Sequence, residues 1–195
     1  MPREPETVRY PADDGAREGL LLRGGPDALL LAAGPDDPPG FWAERLAAVS
    51  DGPTRLAPAH GAAPADAEEA ARMVAAGVAF LRAEGARRVS VMGAGAGATA
   101  AAEAVLAGLT SGIDALILLA PGRLSGPVGH FAGRVVIVSA DEDAAVPVAV
   151  EQRVLSPGNV QLTVYTGDDA AHALLDGAHG PRLRALIAET LREAP

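Results

Sequence analysis

The chain has 195 residues, 49% of them hydrophobic, which suits one domain with a single core and no covalent cross-links. It contains neither cysteine nor lysine, so disulfides, thiolate chemistry, cysteine-bound metals and Schiff-base catalysis are excluded. A net charge of -9 and an aromatic content of 3% argue against nucleic acid as a partner, because phosphates are repelled and bases find few rings to stack on.

No run of about 18 consecutive apolar residues occurs, and residues 1–6 lack the apolar core of a signal peptide. We therefore expect a cytoplasmic protein, without membrane contact, that forms one domain over residues 1–195. No pair of histidines has metal-ligand spacing, so a metal site is not expected. We also expect no cofactor. The sequence leaves the oligomeric state open.

The first third of the chain predicts a hairpin followed by a buried strand. Apolar runs at residues 7–10 and 19–22 flank a turn rich in Pro, Asp and Gly, as in a β-hairpin. The apolar run 28–33 is too short for a typical helix, and its flanking Pro and Gly residues favour a buried parallel strand. A helix is predicted over 41–49 from the spacing of its large apolar residues, and a weaker strand over 54–58.

The clearest helix is predicted over residues 67–84. Asp66 is a good N-cap, Glu69 stands at the capping-box position, and the apolar residues that follow recur at helical spacing. Gly85 supplies the C-terminal stop.

The rest of the chain alternates strands with helices. Apolar and β-branched runs predict strands over residues 89–92, 113–120, 134–139 and 160–165. Helices are predicted after the first of these strands, over 147–155, and from Pro181 onward. Such alternation implies a mainly parallel sheet of about seven or eight strands, in which ligands bind beyond the carboxyl ends of the strands.

The segment from Gly93 to Gly97 reads Gly-Ala-Gly-Ala-Gly between a predicted strand and a helix of small residues. This is the layout of a nucleophile elbow, Gly-x-Ser-x-Gly, with Gly95 in the place of the serine. A dinucleotide-binding glycine loop is the other interpretation. It is the weaker one, because no acidic residue closes the next predicted strand, which ends at Ala120.

Two later loops carry candidate acid and base groups. Asp143 follows the strand before the last, and its rivals in the same loop are Asp141 and Glu142. His172 follows the last strand, and its rival His179 stands at the entry to the final helix. The occurrence of an acid and a histidine at two strand ends favours a hydrogen-bonded dyad.

This order of strands, glycine-rich corner, acid and histidine resembles the α/β-hydrolase superfamily, and most of all its small, cap-poor members of the dienelactone-hydrolase and carboxylesterase kind. The resemblance covers nearly the whole chain. It implies an α/β-hydrolase fold with a minimal cap or none, since only residues 121–133 lie between two predicted strands. It also implies that Asp143 and His172 are the acid and the histidine of the family's catalytic site.

The same resemblance places the site above Gly95. Backbone N–H groups of Ala96 and of the loop after Gly34 would form the oxyanion hole, and Pro35 and Ala94 would line the site. Gly95 itself has no side chain, so an acyl-enzyme cannot form there.

Three functions remain open. The first is non-covalent acid–base chemistry by His172 and Asp143 on a small carbonyl-containing substrate, of the lyase, isomerase, cofactor-free oxygenase or weak hydrolase kind. The second is an inactive homologue that binds a small ligand or a protein partner. The third is a Ser-to-Gly variant of a serine esterase.

Three hydroxyl groups could stand in for the missing serine. Thr99 lies about one helical turn after Gly95, although the commoner role of such a threonine is a bond to a backbone carbonyl. Ser125 and Ser139 lie near strand ends but have no elbow.

Overall fold

The computed structural model describes residues 4–12, 15–35, 40–45, 47–49, 52–58, 64–156, 158, 160–168 and 171–193. The tip of the predicted hairpin at Asp13 and Asp14, and Leu46 of the predicted helix 41–49, lie outside the described residues. None of the described helices is both long enough and apolar enough to cross a membrane.

The described residues form one sheet of eight strands, in the order β1-β2-β4-β3-β5-β6-β7-β8. Its first two strands form an antiparallel hairpin, the second also pairs antiparallel with the fourth, and all other neighbours are parallel. The predicted mainly parallel sheet is therefore confirmed. The strands are β1 (Glu6–Ala12), β2 (Gly15–Leu22), β3 (Gly25–Ala32), β4 (Pro53–Pro58), β5 (Arg88–Ala94), β6 (Ala115–Leu119), β7 (Arg134–Ala140) and β8 (Val160–Tyr165).

Helices cover both faces of the sheet. One face packs against α2 (Ala67–Ala83), α3 (Ala96–Leu106) and α4 (Val146–Leu155), and the other against α1 (Phe41–Arg45), α5 (Ala173–Asp176) and α6 (Gly180–Glu193). Successive residues of the central strands alternate between the two apolar clusters, as the period of a strand requires. Between β6 and β7 the chain forms only a short 3-10 turn, Val128–His130.

The helix predicted over 67–84 is confirmed, and the Glu69 N–H donates to Asp66 Oδ1 at 2.7 Å as the capping pattern requires. The helix predicted over 41–49 is too long. In the structure α1 ends at Arg45, and in the turn that follows the N–H groups of Ala48 and Val49 both donate to the Arg45 carbonyl.

The strand predicted over 113–120 is also too long. Asp114 accepts the Val89 N–H on its side-chain Oδ2 at 2.7 Å, and regular pairing of β6 begins one residue later at Ala115. The four-residue helix α5 was not predicted, since it is too short to show helical periodicity.

Candidate functional site

The corner predicted as an elbow joins β5 to α3 in a single residue. Gly95 stands between Ala94 and Ala96 with φ 54° and ψ -120°, which is costly for a residue with a side chain but open to glycine. Its N–H donates to the Leu119 carbonyl at 2.8 Å, which ties the corner to the end of β6. The backbone therefore has the sharp strand-to-helix turn that the motif predicts.

Close backbone packing explains Gly93, before the corner, and Gly34, in the loop after β3. A Cβ on Gly93 would lie 2.4 Å from the Gly97 carbonyl carbon and oxygen, so β5 and α3 meet there only without a side chain. A Cβ on Gly34 would lie 2.4 Å from the carbonyl carbon and Cβ of Ala96. The structure thus brings Gly34 and Ala96, the two predicted oxyanion positions, against each other.

The two predicted lining residues differ in position. Pro35 directly follows Gly34 and is half-buried. Ala94 is fully buried in the apolar cluster on the α1, α5 and α6 face, so its side chain belongs to the core.

Backbone strain is concentrated around Gly95. Among the described residues, only Ala120 and Ala171 have a positive φ without being glycine, at 47° and 41°. Ala120 follows Leu119, which accepts the Gly95 N–H, and a Cβ on Gly95 would lie 3.3 Å from Ala171 Cβ. Residues held in this conformation cluster at functional sites. Sequence reasoning missed both, because nothing in an alanine signals a positive φ.

The candidate replacement hydroxyls have other roles. Thr99 Oγ1 donates to the Gly95 carbonyl at 3.2 Å and accepts the Gly122 N–H at 2.8 Å. Its hydroxyl therefore links the corner to the loop after β6. Ser125 donates its N–H and its hydroxyl to the Glu103 carboxylate at 2.6 and 2.5 Å. Ser139 is fully buried in β7.

The acid loop after β7 separates its three carboxylates. Asp143 Oδ1 accepts the Ala145 N–H at 2.9 Å, while its Oδ2 is buried and has no hydrogen-bond partner among the described residues. Asp141 accepts the Gly167 N–H at 2.8 Å and so joins the loops after β7 and β8. Glu142 is exposed.

His172 lies at the start of α5 with its Nε2 shielded from solvent. Its ring packs edge-on against Phe41, with 4.1 Å between centroids and 64° between planes. Within the part of the chain that the structure describes, no hydrogen bond joins His172 to Asp143. The dyad therefore remains a prediction.

The packing that orients His172 continues across α1 and α5. The Arg45 guanidinium lies 3.9 Å from the centroid of Phe41 and donates to Asp176 Oδ2 at 2.5 Å. This hydrogen bond lowers the pKa of the Asp176 carboxyl. Sequence reasoning missed the pair of Arg45 and Asp176, since 131 residues separate them and no local pattern connects them.

His179 is held at the end of β8 instead of over the corner. Its Nε2 lies 2.9 Å from the Thr166 carbonyl oxygen, and its ring stacks on Tyr165 with centroids 4.6 Å apart. Burial raises the pKa of Tyr165. No group of three or more His, Asp or Glu side chains in the described ranges is arranged to hold a metal ion.

No protein-family model and no curated protein sequence matches this chain. Solved structures match nearly its whole length. The esterase Pf2001 of Pyrococcus furiosus gives a TM-score of 0.73 at 17% identity, over 97% of this chain and 90% of its own. An alpha-beta serine hydrolase homologue from Coxiella burnetii gives 0.70 at 15% identity over 97% of both chains. The chain has the α/β-hydrolase fold.

A third solved structure is also similar over nearly the whole chain. XC6422 of Xanthomonas campestris, a serine hydrolase without a lid, gives a TM-score of 0.69 at 13% identity over 98% of this chain and 95% of its own. The α/β-hydrolase fold implied by the sequence is thus confirmed. Within this fold, Gly95, Asp143 and His172 occupy the loops after β5, β7 and β8, in the chain order of nucleophile, acid and histidine.

Proposed function

We propose that this α/β-hydrolase-fold protein binds a small ligand through a carbonyl or carboxylate oxygen at the Gly95 corner, without forming an acyl-enzyme. The observation that carries the proposal is the corner itself. It keeps the positive φ of Gly95 and the close contact between Gly34 and Ala96, yet supplies no side chain that could attack. Thr99, the nearest candidate hydroxyl, already donates to a backbone carbonyl.

The chemistry of such a site is that of backbone donors. The first turn of α3 leaves its N–H groups without helical acceptors, and the positive end of the helix dipole favours a partly or fully negative oxygen there. Gly95 contributes no side chain to the site, and among the described residues the heavy atom nearest to a Cβ placed there is Ala171 Cβ, at 3.3 Å. The strain at Ala120 and Ala171 supports a functional use of this corner.

The absence of acylation is tested with a fluorophosphonate probe and with short acyl esters of p-nitrophenol, on the native chain and on Gly95→Ser. The native protein is expected to show no labelling and no burst of nitrophenol. Gly95→Ser needs a shift of a few tenths of an ångström at Ala171, so its fold is checked by circular dichroism first. Covalent labelling of the native protein would overturn the proposal.

Ligand binding at the corner is tested by removing one donor. Ala96→Pro deletes the N–H of the first residue of α3 at a position that helices tolerate, and Ala96→Gly keeps that N–H as the matched control. Acetate and butyrate are titrated by NMR against all three proteins. We expect the native chain and Ala96→Gly to bind and Ala96→Pro to bind at least about tenfold more weakly. Equal binding by all three would contradict the proposal.

One observation favours acid–base chemistry as a second candidate function. Asp143 Oδ2 is buried without a hydrogen-bond partner among the described residues, and a buried carboxylate oxygen is stabilised by a donor. A turn of the His172 ring toward Asp143 would supply one and assemble the predicted dyad. Exchange of α-protons of a small ketone into deuterated water measures this activity. Loss of exchange in His172→Gln but not in His179→Gln would support it, and no exchange by the native protein would reject it.

A further inference from the structure

We propose that two copies of this chain associate through α4 and β8, so that their sheets join edge to edge. The surface in question, called here the α4–β8 surface, is defined by four exposed apolar side chains. Five large apolar side chains of the described residues are exposed, and four of them lie in these two elements. They are Val150 (44%), Val154 (70%), Leu155 (56%) and Val164 (43%).

Three of the four side chains, Val150, Val154 and Val164, share one side of the molecule. Val160 and Leu162 of β8 pack into the apolar cluster on the α2, α3 and α4 face, so Val164, at the next alternate position, points to the same face. In α4, Val150 and Val154 are four residues apart and therefore lie on one side of the helix.

The inner side of α4 is firmly held. Gln152 is buried, accepts the Val128 N–H at 2.9 Å and donates to the Gly126 carbonyl at 3.3 Å. The apolar side chains on the outer side therefore sit on a fixed helix, and their exposure is a stable feature of the surface.

The two edges of the sheet differ in their protection. Edge strands are usually blocked by charges, by proline or by bulges that prevent pairing with another chain. β1 carries Pro11 and two charged residues in ion pairs, Glu6 with Arg23 and Arg9 with Glu18. β8, at the opposite edge, reads Val-Gln-Leu-Thr-Val-Tyr and has no charge, no proline and no glycine. The α4–β8 surface thus includes an edge strand that is ready to pair.

A second copy of the chain fits this surface better than another protein. Antiparallel pairing of one strand with its own copy is two-fold symmetric, so the same surface serves both partners. Two chains of net charge -9 repel each other, and an uncharged strand is where they can approach closely. The same symmetry places the two α4 helices antiparallel on one face of the joined sheet.

The size of the α4–β8 surface determines how tightly we expect the two copies to bind. α4 has 10 residues and β8 has 6, somewhat fewer than the roughly 20–30 residues per side of a standard interface. We therefore expect a dimer that dissociates on dilution.

The first test is sedimentation velocity of the full chain over a series of concentrations. The native chain is expected to shift from monomer to dimer, and Val154→Lys and Val164→Lys to raise the dissociation constant at least about tenfold. Leu109→Lys is the matched control, since Leu109 is 46% exposed but lies outside the α4–β8 surface. A native chain that stays monomeric, or a dimer that only Leu109→Lys disrupts, would overturn the proposal.

The second test locates the contact by cross-linking. Because the chain has no cysteine, single cysteines can be placed at Thr163, near the centre of β8, and at Thr7 of β1 as the control edge. A two-fold axis at β8 brings the two Thr163 positions together. Thr163→Cys is expected to form a disulfide-linked dimer on mild oxidation, and Thr7→Cys to remain monomeric. Equal cross-linking at both edges would overturn the proposal.

Discussion

The glycines of the corner are required for different physical reasons. Gly95 needs freedom of φ, and the one atom of the described residues within 4 Å of a Cβ placed there is Ala171 Cβ, at 3.3 Å. Gly93 needs no unusual φ, but its Cα faces the backbone of α3 at Gly97. Substitution at Gly95 therefore changes chemistry and local strain, whereas substitution at Gly93 changes the distance between β5 and α3.

Gly93→Ala is expected to lower the free energy of unfolding by about 1–3 kcal/mol, because its Cβ would lie 2.4 Å from backbone atoms of Gly97 that cannot move independently. Urea unfolding followed by circular dichroism measures the loss. Gly158→Ala is the control, since a Cβ there meets nothing within 4 Å, and it should change stability by less than about 0.5 kcal/mol. Similar stabilities for both variants would show that β5 and α3 can separate without cost.

At the scale of residues, the sequence predicted where a residue lies in the fold better than it predicted the hydrogen-bond partners of its side chain. It placed Gly95 at a sharp strand-to-helix corner because a glycine-rich segment after an apolar run has few other solutions. The bond of Thr99 to the Gly95 carbonyl is local and matches the commoner role stated for such a threonine. The bonds of Thr99 with Gly122 and of His179 with Thr166 could not be predicted, because they join chain segments that meet only in the folded protein.

At the scale of elements, an ion pair joins the beginnings of β3 and β5. Asp27 and Arg88 are partners in the strand register, and Arg88 donates to Asp27 Oδ2 at 2.7 Å. Both side chains are about 30% exposed. The hydrogen bond from Arg88 lowers the pKa of Asp27, against the opposing effect of burial. A lowered pKa in the folded state means that the ionised carboxylate stabilises the fold.

Asp27→Asn is expected to cost about 1 kcal/mol or less at neutral pH, because the pair is partly exposed. The contribution of Asp27 is fully present above its unfolded-state pKa and is lost as the pH falls through the lower folded-state pKa. The stability difference between the native chain and the variant should therefore shrink in acid. Urea unfolding at pH about 7 and about 2.5 measures it, with exposed Glu142→Gln as the control. A difference independent of pH would contradict this account.

The element boundaries show which signals are local. The strand predicted over 160–165 matches β8, since its alternation and flanking turn residues are contained in the segment itself. β6 is shorter than predicted, because the Asp114 side chain accepts the Val89 N–H and regular pairing begins one residue later. α5 packs on α6 and contributes Leu174 and Leu175 to the core. Because this helix depends on tertiary packing, its four residues alone do not predict it.

At the scale of the whole molecule, the two apolar clusters are coupled through the central strands. Val91 and Leu116 face the cluster under α2 and α3, while their neighbours Met92 and Ile117 face the cluster under α1 and α6. If either layer of helices unfolds, it exposes the central strands against which the other layer also packs. The single domain expected over residues 1–195 stays a prediction, and the shared strands lead us to expect that the two layers unfold together.

The chain offers one tryptophan with which to test that coupling. Trp42 is 2% exposed in the cluster under α1 and α6, and its Nε1 donates to the Ala32 carbonyl at 2.8 Å. Its fluorescence reports on that face alone, whereas far-ultraviolet circular dichroism reports on the helices of both faces.

We expect the two signals to give one coincident transition in urea, because both clusters share β3, β5, β6 and β7. The measurement is repeated with Val164→Lys, so that dissociation of a dimer is not mistaken for unfolding. A fluorescence transition that precedes the loss of helix in both proteins would mean that α1, α5 and α6 unfold as a separate layer. In that case the layer that holds His172 and Phe41 would open independently of the corner at Gly95.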